Sequence, residues 1–510
     1  MIPTANLATL LRWTARRFPD RPGLIQGARR WSWAELDRRV AAAAAGLAAR
    51  GVRPGDRVLV HAKNSPPMFE TMWACWTIGA VWVPTNHRLS PPEVAWLAQS
   101  SRAVAHVFDD AFPEHAAAAR EANPACAAEI AIATDWDAMA SADARADHAD
   151  VSRDHPLWFF YTSGTTGRPK AGVLTHGQMG FVVNNHLADL LPGLTERDAS
   201  LVVAPLSHGA GIHAMSNVAR GAATVLTESE RLDPEEAWRL VAEHRVSNMF
   251  TVPTILTALT RHDAVDLHDH SSVRHVIYAG APMYREDQRH ALRKLGKVIV
   301  QYFGLGEVTG NITVLPAEMH DEDDARMPVG SCGYPRTGMD LAILSDDGTR
   351  LPPGEDGEIA VRGNAVFAGY FENDAANAAA FKDGWFRTGD LGHLDERGLL
   401  YITGRRSDMY ISGGSNVYPR EVEEVLLTHP AIAEACVVGV PHSKWGECGV
   451  AVLVPRDGAV IEEEAVRALL PGRLARYKWP ERIVVWDALP RSGYGKVPKN
   501  EVRRRLLDDA

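Results

Sequence analysis

Short apolar runs alternate with longer segments of helical periodicity through most of the chain. The apolar runs predict largely buried strands at Val58–His61, Val104–Phe108, Leu157–Tyr161, Leu201–Ala204, Val273–Ala279 and Val298–Gln301. The periodic segments predict helices at Glu35–Arg50, Pro66–Gly79, Pro234–His244 and Tyr284–Leu295. Because this alternation is typical of parallel sheets covered by helices, the sequence predicts an α/β fold.

The pattern changes from about Gly330, where glycine, proline and aspartate become dense. Turn signals separate short predicted strands such as Gly357–Val361 and Leu399–Ile402, which favours antiparallel hairpins or a small β-barrel-like region. Further along, the sequence predicts helices at Pro419–Leu427 and Glu462–Leu470 and strands at Ala435–Val440, Val450–Val454 and Ile483–Val485. We place a domain boundary near Arg406–Asp408. It separates a large N-terminal domain, 1–406, from a small α+β C-terminal domain, 407–510.

Composition narrows the class of protein. The chain has 510 residues, of which 46% are hydrophobic and 23% charged, as in an ordinary globular protein. Its formal net charge of -10 argues against a nucleic-acid partner or an anionic membrane. The five cysteines are scattered and form no CxxC pair, which indicates a reducing compartment: Cys75, Cys126, Cys332, Cys436 and Cys448.

Two segments bear on membranes and targeting. Met1–Trp13 has no basic region followed by an apolar stretch, so we expect no signal peptide. The uncharged run Thr71–Asn86 is shorter than the roughly 20 residues that span a bilayer. We interpret it as a buried helix followed by a strand, and we expect a soluble cytoplasmic protein.

A glycine- and hydroxyl-rich loop follows the predicted strand Leu157–Tyr161. Small residues let backbone N–H groups approach an anion, and hydroxyl groups and a lysine add donors and positive charge. The loop therefore predicts a site for the β- and γ-phosphates of ATP, formed by Thr162, Ser163, Gly164, Thr165, Thr166, Gly167 and Lys170. A flexible polar turn is the alternative.

Better-known phosphate motifs do not fit. A Walker loop requires lysine directly after the second glycine, whereas Arg168 and Pro169 intervene here. The glycines of the segment 304–310 miss the dinucleotide-binding spacing, because position 309 is threonine.

The loop resembles that of the adenylate-forming superfamily, which contains acyl-CoA synthetases, peptide-synthetase adenylation domains and firefly-type luciferases. The resemblance covers nearly the whole chain in the right order. It implies that a second segment contacts adenine and the α-phosphate: Gln301, Tyr302, Phe303, Gly304, Leu305 and Gly306. It also implies that Gly280, Ala281 and Pro282 form the adenine-pocket turn and that Glu307 holds Mg²⁺.

The same resemblance implies roles for three residues further along the chain. Asp390 matches the acid that binds the ribose hydroxyls, Arg405 its partner cation, and Lys496 the catalytic lysine of the C-terminal domain. A carboxylate can bind a vicinal diol, and fixed cations stabilise the charge that develops on the α-phosphate. Taken singly, these residues and Glu307 could instead be a helix cap, a turn residue or solvated surface charges.

Two positions depart from the family pattern. Gly306 stands where threonine or serine is usual. Its lack of a hydroxyl group removes one hydrogen-bond donor, at a cost of ~1 kcal/mol if a water substitutes. Alternatively, the glycine enlarges the acyl pocket. The resemblance also implies that the C-terminal domain is mobile. Ser407 stands at its hinge, where aspartate or lysine is usual; serine can still absorb a backbone rotation.

The resemblance implies a thiol acceptor for the acyl group. Ser412, Gly413 and Gly414 resemble a segment that lines a pantetheine tunnel, where side chains on the glycines would block passage. A hairpin turn is the alternative. Arg88 and Trp445 match CoA-nucleotide contacts of some ligases, and Lys478 is a further basic candidate, although Trp479 and Glu481 stand where basic residues often occur.

The segment Pro205–His213 resembles the family's acyl-pocket motif, with His208 near the substrate carboxylate; a satisfied core histidine is the alternative. The predicted pocket residues are Gly209, Ala210, Gly211 and Ala279. Together with Gly304 and Gly306 they suggest room for a sizeable apolar or ring-containing group. No aspartate follows the motif where amino-acid-activating relatives hold an α-ammonium group, which disfavours an aminoacyl substrate. No arginine or lysine falls in these pocket segments, which speaks against a dicarboxylate. Too few ligands accompany the histidines for a metal site.

We therefore predict an ATP-dependent acid–CoA ligase that forms acyl-AMP and pyrophosphate, then acyl-CoA and AMP. Its expected partners are ATP, Mg²⁺, CoA and a carboxylic acid, with neither nucleic acid nor membrane; a homodimer remains open. Three alternatives also remain: an enzyme that loads a carrier-protein thiol, a luciferase-like oxygenase, and a catalytically silent AMP-binding protein.

Overall fold

The computed structural model describes residues 2–162, 168–281, 283–412, 415–491 and 497–508. Contacts divide the chain into two compact units. The large unit consists of Met1–Leu341 and Val361–Phe386, and the small unit of Ala342–Ala360 and Arg387–Ala510. The domain boundary near Arg406–Asp408 remains a prediction.

The first sheet of the large unit has six strands. The strand Lys170–Thr175 is antiparallel to its neighbour, and the other strands are parallel. The order across the sheet is Lys170–Thr175, Pro156–Thr162, Val81–Thr85, Arg57–His61, Ala105–Phe108 and Ala128–Ala131.

The second sheet of the large unit has nine strands, six of them parallel, with antiparallel strands at both edges. The order is Tyr334–Pro335, Thr313–Leu315, Ile299–Phe303, His275–Tyr278, Asn248–Thr251, Ala199–Val202, Ala223–Leu226, Pro22–Gln26 and Arg29–Ser32. A separate two-stranded sheet pairs Pro3–Thr4 with Val151–Ser152.

Helices accompany these sheets, and capping residues set where several of them begin. Ser32 and Glu35 form a capping box, and the Asp233 side chain accepts hydrogen bonds at the start of the helix that follows it. The α-helices are Thr9–Arg17, Trp33–Ala49, Pro66–Thr77, Pro91–Ser101, Pro113–Ala122, Asp137–Ser141, His176–Asp189, Gly209–Arg220, Pro234–His244, Pro253–Arg261, Ala264–Leu267, Arg285–Leu295 and Asp374–Ala380.

Five further strands lie between residues 339 and 405. They are Met339–Leu344, Gly357–Gly363, Phe381–Lys382, Trp385–Leu394 and Leu400–Arg405. Trp385–Leu394 pairs antiparallel with both Phe381–Lys382 and Leu400–Arg405. The antiparallel pairing expected here is confirmed.

Towards the C-terminus, the small unit contains a five-stranded sheet with a hydrophobic cluster on each face. Ile432–His442 shows why: Ala435 and Val437 belong to one cluster, while Cys436, Val438 and Val440 belong to the other. The strands are Tyr410–Ser412, Ser415–Val417, Ile432–His442, Gly446–Pro455 and Arg482–Val485, and the helices Pro419–Leu426, Glu463–Arg467 and Lys499–Asp508.

The prediction of an α/β fold with helix-covered sheets is confirmed, and most element bounds agree within a few residues. The run Thr71–Asn86 forms the end of the helix Pro66–Thr77 and the strand Val81–Thr85, as expected. The helix predicted at 462–470 is shorter and spans Glu463–Arg467. Within the described ranges, no helix has both the length and the apolar character needed to cross a membrane.

A buried ion pair joins two helices of the large unit. Arg39 contacts Glu70 at 2.5 Å and also donates to Asp137 at 2.8 Å. The Trp136 indole donates to the second Glu70 oxygen at 2.8 Å. Because the Glu70 side chain is fully buried, removing it leaves the guanidinium in the interior with only Asp137 as an acidic partner.

We expect Glu70→Ala to destabilise the large unit by about 3–5 kcal/mol, the usual cost of breaking a buried ion pair. Thermal unfolding followed by circular dichroism measures this as a lower melting temperature. Glu243→Ala is the matched control, because the contact of Glu243 with Arg239 at 3.0 Å is exposed; it should shift the melting temperature little. Equal shifts in the two variants would contradict the role assigned to the buried pair.

Candidate active site

The strand pairing holds the two ends of the predicted phosphate loop together. Thr162 and Lys170 are direct partners in the antiparallel ladder between Pro156–Thr162 and Lys170–Thr175. Both side chains are half-buried. The residues between them that carry the predicted backbone contacts, Ser163, Gly164, Thr165, Thr166 and Gly167, lie outside the described residues, as do Pro282, Gly413, Gly414 and Lys496.

The helix Pro91–Ser101 contacts the chain on both sides of this loop. Before the loop, the Ser100 hydroxyl and the Tyr161 hydroxyl are 2.8 Å apart. After it, the Arg168 guanidinium lies over the Trp96 ring at 4.4 Å, and the Trp96 indole donates to the Pro169 carbonyl at 3.3 Å. This helix therefore fixes the chain on either side of the loop.

Glu307 is the point where three separate segments meet. It belongs to the short 3-10 helix Gly306–Val308, just after the strand Ile299–Phe303, and is 8% exposed. Its Oε1 atom accepts hydrogen bonds from the Thr162 hydroxyl at 2.8 Å and the Tyr370 hydroxyl at 2.9 Å. Within the described part of the chain, no group donates to its Oε2 atom.

Tyr370 is a site residue that the sequence analysis missed. Its ring lies under the Lys170 ammonium group, with the Nζ atom 5.3 Å from the ring centroid. Burial raises the pKa of the Tyr370 hydroxyl, and the Glu307 carboxylate raises it further, so the hydroxyl remains a donor at neutral pH. Only its position between a glycine and an aromatic residue, Gly369 and Phe371, could have drawn attention to it.

The predicted adenine and α-phosphate segment ends the strand Ile299–Phe303 and continues through Gly304 and Leu305. The Tyr302 side chain is buried and stacks on Phe250, with the ring centroids 6.0 Å apart. Gln301 accepts a hydrogen bond from the Tyr278 hydroxyl at 3.2 Å. In the predicted adenine turn, Gly280 has a φ of +85, a conformation that favours glycine, and Ala281 follows it.

His208 lies at the start of the helix Gly209–Arg220 and is half-buried. Its ring centroid is 4.9 Å from that of Phe160, and its Nδ1 atom is 3.3 Å from the Ser207 hydroxyl. The Asn64 side chain fixes the preceding segment: it donates to the Ala204 carbonyl and accepts from the Leu206 N–H, each at 2.9 Å. Asn64 was also missed by the sequence analysis.

A side chain at any of four glycines of the predicted pocket would meet atoms that already lie beside the glycine, while the room predicted for the acyl group remains a prediction. A Cβ atom on Gly209 would lie 2.4 Å from the Phe250 ring, and one on Gly211 would lie 2.1 Å from the Leu206 carbonyl oxygen. Gly304 and Gly306 are similarly filled, by the Gly310 backbone and the Phe160 ring. The predicted pocket residues Ala210 and Ala279 are buried.

The second histidine of the acyl motif, His213, lies in the interior and contacts another side chain. His213 is buried, and its Nε2 atom is 2.8 Å from the Asn248 side-chain oxygen. Burial lowers the pKa of His213 to about 4, so it is neutral at physiological pH. Among the described residues, no group of three or more histidine, cysteine or acidic side chains could hold a metal ion.

In the small unit, Asp390 and Arg405 face each other across paired strands. The Arg405 Nε donates to Asp390 Oδ1 at 2.7 Å, and Asp390 is 3% exposed. Arg405 itself is exposed. The expected pair is therefore in contact, while its role towards ribose remains a prediction.

The small unit also brings together three of the predicted CoA residues. Ser412 pairs with Gly446, directly after the exposed Trp445, and the turn Arg476–Lys478 contacts the strand Ser415–Val417. The Lys478 ammonium group contacts Glu421 at 2.5 Å, so its charge is already partly neutralised. The predicted hinge residue Ser407 is exposed in this unit, and Arg88 is an exposed residue of the large unit.

A family model described as AMP-binding enzyme matches residues 11–371. The chain belongs to the AMP-binding enzyme family. A model of the AMP-binding enzyme C-terminal domain matches residues 421–496. The prediction of an adenylate-forming enzyme is confirmed by these matches.

Relatives of this AMP-binding enzyme match it over nearly its full length. A feruloyl-CoA synthase of an Amycolatopsis species is 37% identical over 96% of this chain and 97% of its own. An indoleacetate–CoA ligase of Aromatoleum aromaticum is 35% identical over 96% and 94%. The structure of an o-succinylbenzoate CoA synthetase from Bacillus subtilis, in complex with its acyl-adenylate intermediate, has a TM-score of 0.86 at 31% identity and covers 99% of both chains.

We expect Trp96→Leu to raise the dissociation constant for ATP by roughly three- to tenfold, because the variant loses both the Arg168 contact and the hydrogen bond to Pro169. Isothermal titration calorimetry measures the change. Trp13→Leu is the matched control, since Trp13 is 56% exposed and also lies beside an arginine, Arg16, at 4.9 Å. An unchanged ATP affinity in folded Trp96→Leu protein would contradict this role of the helix.

Proposed function

We propose that this protein is an acid–CoA ligase that activates an apolar or ring-containing carboxylic acid with ATP. The proposal rests on one observation above all: Thr162 and Tyr370 meet on Glu307, with Lys170 beside them, in a chain whose full-length relatives carry the names of CoA ligases. This arrangement joins the predicted phosphate loop to the predicted adenine segment.

The proposed reaction has two steps. An oxygen of the acid carboxylate attacks the α-phosphorus of ATP, the bond to the bridging oxygen breaks, and pyrophosphate leaves. The sulfur of CoA then attacks the acyl carbon, its proton is lost, and AMP leaves. Lys170 and the loop donors are suited to the phosphates, and Asp390 to the ribose hydroxyls.

Mg²⁺ fits the donors around Glu307. Two hydroxyl groups hold Oε1, while Oε2 receives no hydrogen bond from the described residues, so a carboxylate oxygen is available to a cation. A single protein carboxylate supplemented by substrate phosphates is a usual way to hold Mg²⁺. When bound, Mg²⁺ neutralises charge that develops on the phosphate oxygens.

The surroundings of the acyl motif favour an acid with an aromatic ring. Phe160 lies against His208, and Phe250 lies against Gly209 and stacks on Tyr302. Aromatic side chains attract a substrate ring in offset or edge-on geometry. No lysine or arginine belongs to the acyl motif segments, so a second carboxylate on the acid has no cation there.

The protein is proposed to act in the cytoplasm, where ATP and CoA are present. All five cysteines are free, in keeping with a reducing compartment. The small-molecule partners are then ATP, CoA and the acid.

The test is a pyrophosphate-release assay over ferulate, indole-3-acetate, 2-succinylbenzoate and a long-chain fatty acid, with and without CoA, with products identified by mass. The proposal expects acyl-CoA and AMP from a monocarboxylate with a ring, and least product from the dicarboxylate. Pyrophosphate exchange without a CoA thioester would favour a carrier-protein acceptor. The absence of exchange with any acid would favour a silent AMP-binding protein.

We predict that Glu307→Gln raises the Mg²⁺ concentration for half-maximal pyrophosphate release by at least about tenfold, because it removes the charge that binds the cation. Tyr370→Phe should raise it only several-fold, since it loses one hydrogen bond to the carboxylate but keeps the ring beside Lys170. Binding of Mn²⁺ in the presence of ATP, measured by electron paramagnetic resonance, should weaken in the same order. An unchanged Mg²⁺ requirement in Glu307→Gln would contradict the assignment.

We predict that Lys496→Ala lowers the rate of acyl-AMP formation by about 10²–10³-fold, the scale of losing one donor to the transition state. Formation of the thioester from supplied acyl-AMP should fall much less. Lys382→Ala, a change of an exposed lysine, should leave both steps unchanged. Equal losses in the two steps of Lys496→Ala would contradict this division of labour.

A further inference from the structure

One face of the strand Pro156–Thr162 carries side chains that contact residues of the candidate site. Because side chains alternate along a strand, Trp158, Phe160 and Thr162 share that face. Trp158 lies next to Gly211, and the Thr162 hydroxyl donates to Glu307. Phe160, between them, contacts the acyl motif and the nucleotide segment.

Phe160 fills the space next to Gly306. A Cβ atom on Gly306 would lie 2.6 Å from Phe160 Cδ1 and 2.7 Å from Phe160 Cε1. These distances are far below ordinary van der Waals contact. The glycine therefore avoids a clash with an aromatic ring, and the ring stands where a side chain at position 306 would otherwise point.

A row of aromatic side chains supports Phe160 from behind. Its centroid is 5.6 Å from that of Trp158, which is 4.7 Å from Trp82, and Trp82 is 6.3 Å from Trp76. The three tryptophans are fully buried, and Phe160 is 8% exposed. Closely packed rings have little freedom to move, so Phe160 gives the His208 imidazole a fixed surface 4.9 Å away.

We propose that Phe160 is a positioning residue for the acid substrate, and that Phe160 and Gly306 form a size-matched pair that sets the orientation of His208. This inference rests on the proposed acid–CoA ligase activity. Loss of the ring lets the imidazole turn away from the acid carboxylate. Added bulk at position 306 pushes the ring towards His208 and into the space of the acid.

The experiment compares four variants: Phe160→Val, Gly306→Ala, the double variant, and Phe159→Val. The last is the matched control, because Phe159 is also buried, at 1% exposed, but points to the opposite face of the same strand. Pyrophosphate release gives the KM for the acid and for ATP. Calorimetry gives the dissociation constants of AMP and of a non-hydrolysable acyl-sulfamoyl adenosine.

We expect Phe160→Val to raise the KM for the acid about tenfold while the KM for ATP changes less than about twofold. The affinity for the acyl-sulfamoyl adenosine should fall in proportion, and that for AMP should not. Gly306→Ala should also raise the KM for the acid, and the double variant should lose less than the product of the two single losses. Phe159→Val should lower the melting temperature without changing the ratio of the two KM values.

Equal changes in both KM values for Phe160→Val, or losses that simply multiply in the double variant, would overturn the inference. A wild-type protein that forms no acyl-AMP and binds the acyl-sulfamoyl adenosine no better than AMP would instead contradict the proposed function. A wild-type protein that binds the analogue tightly, with Phe160→Val indistinguishable from it, would contradict only the positioning role.

Discussion

The candidate site depends on the Glu307 carboxylate, which accepts hydrogen bonds from two hydroxyl groups. Thr162, Glu307 and Tyr370 are far apart in the sequence, and the 8% exposed carboxylate brings them together. A buried charge is stable only when it is hydrogen-bonded or paired. The same requirement therefore fixes the strand that leads into the predicted phosphate loop, the turn after the predicted adenine segment, and the tyrosine beneath Lys170.

The strand Pro156–Thr162 extends this constraint to the acyl motif. One of its faces presents Trp158, Phe160 and Thr162 in succession, and these side chains lie beside Gly211, His208 and Glu307 respectively. Antiparallel pairing places Lys170 opposite Thr162. The helix Pro91–Ser101 fixes the chain on both sides of the loop through Ser100 and Trp96. Rigid elements thus position both ends of the predicted phosphate loop.

Patterns within short segments of the sequence predicted the helices and strands, because these elements form through interactions between neighbouring residues. Pro234–His244 was predicted at its observed bounds from its helical period, and in the structure the Asp233 side chain caps its first turn. The contact of Asp390 with Arg405 was expected from family motifs. Contacts between distant segments were not predicted: Tyr370 and Trp96 lie outside any quoted motif, and their roles depend on the tertiary fold. The neighbours of Gly209, Gly211, Gly304 and Gly306 could not be predicted either, because a glycine in a sequence does not reveal which atoms lie beside it.

The most direct test of the account is a crystal structure of the protein with Mg²⁺ and a non-hydrolysable ATP analogue. The account predicts a cation on Glu307 and phosphate oxygens between Thr162 and Lys170, with the Tyr370 hydroxyl still donating to the carboxylate. A nucleotide bound away from these residues, or a cation held by the phosphates without Glu307, would contradict the central role given to this carboxylate.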